Sequence, residues 1–121
     1  MERLRVAKVF EFSAAHYLPG YGGKCANMHG HTWWVELMVE GAVGQDGMVL
    51  DFLGLKKVVE PWIERLDHHV LNEVEGLEMP TAENIVLWFR DLWNSSPRPV
   101  LLRRVRVYES PDSFAEWFEE A

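Results

Sequence analysis

The chain has 121 residues, and its 19 acidic against 12 basic side chains give a formal net charge of −7. The length suits one domain over residues 1–121, and the acidic balance argues against nucleic acid or an anionic membrane as a partner. The single cysteine excludes an intramolecular disulfide and any zinc cluster of several thiolates. Because there is no signal-type segment and no apolar run near the ~20 residues that span a bilayer, we expect a cytoplasmic protein.

Hydrophobic periodicity predicts elements in the order ββααββ. Residues 3–14 and 31–40 alternate apolar and polar side chains, as half-buried strands do, and residues 16–28 between them are rich in glycine and suit a loop. From Asp51 onward the spacing becomes helical. The apolar positions expected to be buried are Leu55, Val58 or Val59, Trp62, Ile63 and Leu66 in the first helix, and Ile85, Trp88, Phe89 and Leu92 in the second.

Proline and threonine provide boundary signals in the helical region. Pro61 is expected to kink or restart the first helix, and Thr81 is the predicted N-cap of the second. Asn84 stands where a capping box has Glu or Gln, so that box is imperfect. Residues 100–110 and 113–120 indicate a final hairpin. The order predicts an α+β fold with an antiparallel sheet, and the small core favours assembly into an oligomer.

Three histidines near the first two strands have the pattern of a metal site. His29 and His31 are two positions apart, so their side chains leave the same face of a strand. His16 ends the first strand and comes beside His31 if the two strands pair as a hairpin. Three neutral nitrogen donors with an open fourth position are typical of catalytic zinc. The alternative is that these are unrelated polar residues at the edges of a loop.

Other side chains suggest acid–base chemistry. Cys25 lies four residues before the histidine pair, and it suits a fourth ligand, an inert buried thiol, or a reactive base or nucleophile. Asp67 precedes His68, as in a proton relay, although a polar helix end has the same pattern. Glu109 ends a strand, where it serves solubility or accepts two adjacent N–H donors from a planar, guanidine-like heterocycle. We expect His69 to be a surface or structural residue.

A cupin-type oxygenase is a rival interpretation of the histidine pair. Gly23, His29, His31 and Glu36 fit the spacing of the first cupin motif, but Val43 stands where that motif ends on glycine. Glu36 also has the opposite parity to the histidines, so on a regular strand its side chain points away from them. No later segment provides the second motif, and the sequence therefore disfavours this class.

Taken together, six segments make the chain resemble the 6-pyruvoyltetrahydropterin synthase and 6-carboxytetrahydropterin synthase family over essentially its whole length. They are, in family order, FSAAH, CANMHGH, GMVLDFLGLK, LDHHVLN, PTAENI and VRVYES. The Cys-x3-His-Gly-His spacing is similar to that of the bacterial 6-carboxytetrahydropterin synthase branch. In the animal pyruvoyl enzyme the gap is longer, and in the folate-bypass branch glutamate replaces the cysteine.

The resemblance implies the tunnelling fold (T-fold), in which ββααββ subunits join their sheets into a barrel, typically a homohexamer formed as a dimer of trimers. It implies Zn²⁺ held by His16, His29 and His31. The implied reaction converts 7,8-dihydroneopterin triphosphate into 6-carboxy-5,6,7,8-tetrahydropterin, acetaldehyde and triphosphate, an early step towards queuosine and related deazapurines. Alternatives are 6-pyruvoyltetrahydropterin synthase activity on the same substrate, or a pterin-binding zinc module without turnover.

The resemblance also implies roles for single residues, at sites that lie between subunits. Cys25 would be the general base, Asp67 and His68 the proton relay, Glu109 the pterin anchor, and Thr81 and Glu83 part of the pterin pocket. Lys24 and the arginines are candidates for binding the triphosphate. Trp33 is expected in the core and Trp34 against a neighbouring subunit.

Overall fold

The computed structural model describes residues 2–120 and contains one antiparallel sheet with the strand order β1-β2-β3-β4. The elements are β1 (Arg3–His16), β2 (His29–Ala42), α1 (Phe52–Leu66), α2 (Ala82–Asn94), β3 (Leu101–Ser110) and β4 (Ser113–Phe118). Short 3₁₀ turns occur at Gly23–Ala26 and Leu71–Glu73. The predicted α+β class and the order ββααββ are confirmed.

Alternate residues of the strands form the core beneath the helices. Trp33, Val35, Leu37 and Val39 of β2 are all fully buried, as strict alternation requires. Phe12 of β1 stacks parallel to Trp33, with 5.9 Å between the ring centroids. The core therefore begins next to the loop end of the β1–β2 hairpin, where the histidines lie.

The helices bury slightly different faces from those that the sequence pattern predicts. In α1, Leu55, Val59, Ile63 and Leu66 are buried, whereas Trp62 is only partly covered. In α2 the buried residues are Ile85, Val86, Phe89 and Trp93. Trp88 remains half-buried because its indole N–H donates to the carbonyl of Glu75 at 3.3 Å, which keeps the ring at the boundary of the core. Of the predicted stripe, Trp88 thus packs against the edge of the core and Leu92 is half-buried, whereas Val86 and Trp93 are buried in addition.

Pro61 does not restart the first helix, as α1 is continuous from Phe52 to Leu66. Its side chain is exposed, and so is Lys57, whose carbonyl loses its donor to the proline ring and can turn to water. None of the helices within residues 2–120 is long and apolar enough to cross a membrane.

The face of the sheet away from the helices carries ion pairs. Glu40 accepts hydrogen bonds from Arg5, Arg103 and Arg3, and these bonds lower the pKa of its carboxyl to about 2. Glu36 pairs with Arg104, and Glu116 pairs with Arg106 at 2.7 Å. Five of the arginines considered for the triphosphate are therefore already paired with carboxylates on this face.

The N-cap of α2 provides a test of local stability. Thr81 Oγ1 accepts the backbone N–H of Asn84 at 3.1 Å, as the sequence predicts. We expect Thr81→Ala to lower the free energy of unfolding by about 1 kcal/mol, because it removes the acceptor for that N–H. Thr81→Ser keeps the acceptor and should retain most of the stability. Urea denaturation of both variants measures the difference, and equal midpoints would contradict the assignment of the cap.

Candidate metal centre

The register of β1 and β2 gathers the three histidines. His16 lies directly opposite His29, and Ala14 lies opposite His31. The cross-strand partner of His16 is therefore His29 rather than His31, which is its diagonal neighbour. The ring centroids are 4.6 Å apart for His16 and His29, 5.2 Å for His16 and His31, and 4.8 Å for His29 and His31. Both strands extend two residues further into the connecting loop than predicted, because this pairing continues the ladder to its end.

Two backbone carbonyls orient the imidazoles. His16 Nδ1 lies 2.8 Å from the carbonyl oxygen of Pro80, and His29 Nδ1 lies 2.6 Å from that of Asn27. A carbonyl only accepts, so each Nδ1 carries the proton and each Nε2 keeps a free lone pair. The Nε2 atoms of His16 and His31 are buried without a hydrogen-bond partner in the described part of the chain. Such atoms are rare in folded proteins, and a metal ion would satisfy both.

Glu109 adds an oxygen to this cluster. One ligand atom from each of His16, His29, His31 and Glu109 lies within 4.8 Å of the other three. Glu109 Oε1 is 3.2 Å from His16 Nε2 and 3.6 Å from His31 Nε2. These four residues could hold a metal ion, and the nitrogen-rich donor set fits zinc.

Trp33 lies against two of the imidazoles. Its ring stands edge-on to His16 and His31, with centroid distances of 4.9 and 5.4 Å, and its Nε1 donates to the carbonyl of Ala14 at 3.2 Å. The expectation that Trp33 belongs to the core is confirmed, but its contact with the site was missed. Positions 29, 31 and 33 share one parity on β2, and this pattern could have indicated it.

Burial lowers the pKa values of His16 and His31. Desolvation penalises the charged imidazolium, so both rings are neutral near pH 7. Neutral imidazole is the form that binds a metal ion. His16 Nε2 and His31 Nε2 can therefore bind a metal ion without first releasing a proton.

Asp67 and His68 form a pair at the edge of β1. Asp67 Oδ1 accepts the backbone N–H of Ser13 at 2.9 Å, and Oδ2 lies 3.0 Å from His68 Nδ1. The hydrogen bond from Ser13 is the main cause that lowers the pKa of Asp67. His68 has φ +60°, in the left-handed region, and its N–H donates to the carbonyl of Ser13 at 2.6 Å. Two backbone bonds to β1 therefore fix this pair in place.

An open groove of about 540 Å³ runs beside the pair, lined by residues 13–15, 30–32 and 68–70. Strand alternation puts Ser13, Ala15, Gly30 and Thr32 on the face of the sheet opposite the imidazoles. Neither Asp67 nor His68 belongs to the four-residue cluster. Within one chain, the pair lies next to the cluster at the edge of the sheet rather than inside it.

The structure does not place the other predicted residues in the cluster either. Cys25 is half-buried in the Gly23–Ala26 turn, where its carbonyl accepts the N–H of Leu18 at 2.8 Å. Thr81 caps α2, and Glu83 is exposed in the first turn of that helix. Glu36 faces the other side of the sheet, which removes the carboxylate that the cupin interpretation requires.

Asn72 is a further residue that sequence reasoning missed. Its Oδ1 accepts the N–H of Tyr17 at 3.1 Å, and its Nδ2 donates to the carbonyl of Tyr17 at 2.8 Å. This side chain acts like a neighbouring strand and fixes the backbone just after His16. The signal was weak, because Asn72 lies in the LDHHVLN segment but has no metal-ligating group. His69, as expected, is an exposed residue, and its carbonyl accepts the N–H of Ala15 at 3.1 Å.

The lowered pKa values predict how acid acts on the metal-free protein. Between pH 7 and about pH 5.5, His16 and His31 take up protons in the unfolded chain but stay neutral in the folded one. The free energy of unfolding should therefore decrease as the pH is lowered through this range. His16→Gln removes one of these groups and should flatten the slope. Urea titrations at several pH values measure this, and a slope unaffected by His16→Gln would contradict it.

Comparisons with known proteins agree with this architecture. A family model described as 6-pyruvoyl tetrahydropterin synthase matches residues 5–120. An Archaeoglobus fulgidus protein provisionally named 6-carboxy-5,6,7,8-tetrahydropterin synthase is 44% identical over 105 residues, 87% of each chain. Dihydroneopterin monophosphate aldolase of Pyrococcus furiosus is 42% identical over 83 residues, 68% of this chain and 70% of the aldolase.

Structural comparison gives the same result. The 6-pyruvoyl tetrahydropterin synthase of Caenorhabditis elegans matches with a TM-score of 0.87 at 28% identity, over 99% of this chain and 98% of that one. The relatives named 6-carboxy-5,6,7,8-tetrahydropterin synthase include bacterial proteins, as the spacing around Cys25 predicts. The predicted T-fold subunit is confirmed. The chain belongs to the 6-pyruvoyl tetrahydropterin synthase family.

Proposed function

We propose that the protein is a zinc-dependent 6-carboxy-5,6,7,8-tetrahydropterin synthase of queuosine and 7-deazapurine biosynthesis. It converts 7,8-dihydroneopterin triphosphate and water into 6-carboxy-5,6,7,8-tetrahydropterin, acetaldehyde and triphosphate. The observation that carries the proposal is the convergence of three imidazoles, two with buried and unpartnered Nε2 atoms, in a member of this family. The names of its relatives support the product.

His16, His29 and His31 are the proposed zinc ligands. Their nitrogens are neutral or oriented by carbonyls, and zinc binds imidazole nitrogen well. When bound, zinc supplies Lewis acidity that makes a C–H next to the substrate's side-chain oxygens easier to deprotonate. The protein itself must then provide the base, the proton relay and the substrate contacts.

Cys25 is the proposed base, and Asp67 with His68 is the proposed relay. The thiolate of Cys25 removes a proton from the pterin side chain, and His68 delivers or accepts protons at the other face of that carbon skeleton. The lowered pKa of Asp67 keeps this carboxylate ionised, so it stabilises His68 when the ring is charged. The 3.0 Å contact between the two side chains supports this role.

The remaining contacts bind the substrate. Glu109 accepts two adjacent N–H groups of the pterin ring, and Thr81 and Glu83 line the pterin pocket. Lys24 is the proposed triphosphate contact, because it lies in the Gly23–Ala26 turn next to Cys25 and forms no ion pair within residues 2–120, whereas the strand arginines are paired. Asp67, His68 and Cys25 lie outside the imidazole cluster of one chain, and we therefore propose that each active site is formed between copies. The proposed assembly is a homohexamer, a dimer of trimers, in the cytoplasm.

A second candidate is aldolase activity on a dihydroneopterin phosphate. The Pyrococcus furiosus relative supports it, since that protein is a dihydroneopterin monophosphate aldolase at 42% identity. Aldol cleavage also requires a base and a relay beside an activated side chain, so the same residues would serve. The 6-pyruvoyl product and binding without turnover are the remaining alternatives.

Product analysis tests the proposed reaction. Purified zinc-loaded protein incubated with 7,8-dihydroneopterin triphosphate should yield a 6-carboxy pterin together with acetaldehyde, identified by mass spectrometry. Cys25→Ala should lower turnover by about 10²-fold or more and keep its zinc, because it removes a base but no ligand. A pyruvoyl product, an aldol cleavage product, or full turnover by Cys25→Ala would each overturn part of the proposal.

Mixed assemblies test whether the site is shared between copies. We expect Cys25→Ala and His68→Ala homo-oligomers to be nearly inactive, while a 1:1 co-assembly regains activity at about a quarter of its sites, since one copy supplies the cysteine and another the histidine. Cys25→Ala mixed with Cys25→Ala/His69→Ala is the matched control and should regain none. If the first mixture also stays inactive, then both residues act within one chain.

A further inference from the structure

We propose that Glu109 is the fourth ligand of the metal ion when no substrate is bound, and that it leaves the metal to bind the pterin ring. The inference rests on the metal site of the proposed function and assigns a resting state to it. In this scheme, binding of the pterin ring to Glu109 opens a coordination position on the metal.

The distances around Glu109 are those between ligands of a shared ion. Two ligands of tetrahedral zinc, each about 2.0–2.1 Å from the metal, are about 3.3–3.4 Å from each other. Glu109 Oε1 lies 3.2 Å from His16 Nε2 and 3.6 Å from His31 Nε2. Neither contact is a hydrogen bond, since His16 Nε2 and His31 Nε2 are without a partner among the described residues. An ion between these atoms accounts for the spacing.

Charge favours the same arrangement. Three neutral imidazoles leave a dication uncompensated in a site where His16 is fully buried. A carboxylate ligand halves that net charge and removes a cost of desolvation. No lysine or arginine pairs with Glu109 within residues 2–120, so the imidazole nitrogens are the only positive or potentially positive groups that it contacts there.

Glu109 is also the least restrained of the four groups. The imidazoles of His16 and His29 are held by backbone carbonyls, and Trp33 packs against the ring of His31. The Glu109 side chain is 36% exposed. It stands where the register of β3 with β4 shifts, between Tyr108 and Ser110. An exposed carboxylate therefore forms one side of the cluster, whereas backbone carbonyls or the Trp33 ring hold the other three groups.

Ligation of the metal and recognition of a pterin exclude each other. A heterocycle with two adjacent N–H donors engages both oxygens of a carboxylate, as a guanidinium does. Glu109 cannot hold that edge and also coordinate the metal through the same oxygen at full strength. Binding of the ring thus frees the position for the substrate's own oxygens, and an empty site stays closed to phosphate and other anions.

Cobalt substitution and metal competition test the resting state. Co²⁺-loaded wild type should show the visible absorption of a four-coordinate site, and Glu109→Gln should change that spectrum and weaken Co²⁺ binding against a chelator at least about tenfold. Glu11→Gln, an exposed residue on the other face of the same sheet, is the matched control and should match wild type. Glu109→Asp keeps the charge but shortens the reach, so it should behave like Glu109→Gln if ligation rather than charge matters.

The exchange is tested with 6-methyl-7,8-dihydropterin, a ring without side-chain oxygens. At saturation, judged by pterin fluorescence, it should change the cobalt spectrum of wild type and of Glu11→Gln. If the pterin leaves the cobalt spectrum of wild type unchanged, Glu109 does not leave the metal and the proposed exchange is wrong. If Glu109→Gln binds Co²⁺ as tightly as wild type, Glu109 is not a ligand. Failure of wild type to bind any metal would instead refute the proposed zinc site, whereas loss of turnover with these spectral changes intact would refute only the proposed reaction.

Discussion

The pairing of His16 with His29 across β1 and β2 determines the positions of the three imidazoles in the candidate metal centre. Because these residues are opposite each other, His31 lies diagonal to His16, and Trp33 comes against both rings. The same ladder buries Phe12 beside Trp33, so core and site share one register. A shift by one residue would turn the imidazoles and the core residues to the solvent face together.

Sequence pattern predicted the fold well, because the alternation of β2 and the helical spacing after Asp51 are strong. It failed where local chemistry decides burial. Trp88 stays half-buried because its indole N–H has a partner at the edge of the core. The helix passes Pro61 because the residue whose carbonyl loses its donor, Lys57, is exposed. Such outcomes depend on what surrounds a residue in three dimensions, which spacing along the chain does not contain.

The site was predicted in part for a similar reason. Parity and strand pairing suffice to bring His16, His29 and His31 together, so sequence reasoning reached them. Two of the rings are oriented by the backbone carbonyls of Pro80 and Asn27. The side chains of these two residues do not take part, so the residue types gave no sign of this contact. Glu109 was predicted to bind a heterocycle, and its approach to the imidazoles follows from the end of β3, where the hairpin register changes. Backbone groups and register shifts are invisible to a search for motifs.

The left-handed backbone of His68 has a consequence for the evolution of this chain. A side chain at φ +60° costs about 1–2 kcal/mol relative to glycine. The backbone there is held by two hydrogen bonds to Ser13, one from the N–H of His68 and one accepted by the neighbouring Asp67 carboxylate. Selection for thermal robustness alone would favour glycine at this position and would lose the imidazole. The core stabilises the fold by more than this strain costs, so the chain can keep a histidine here, and the proposed relay role would give a reason to keep it.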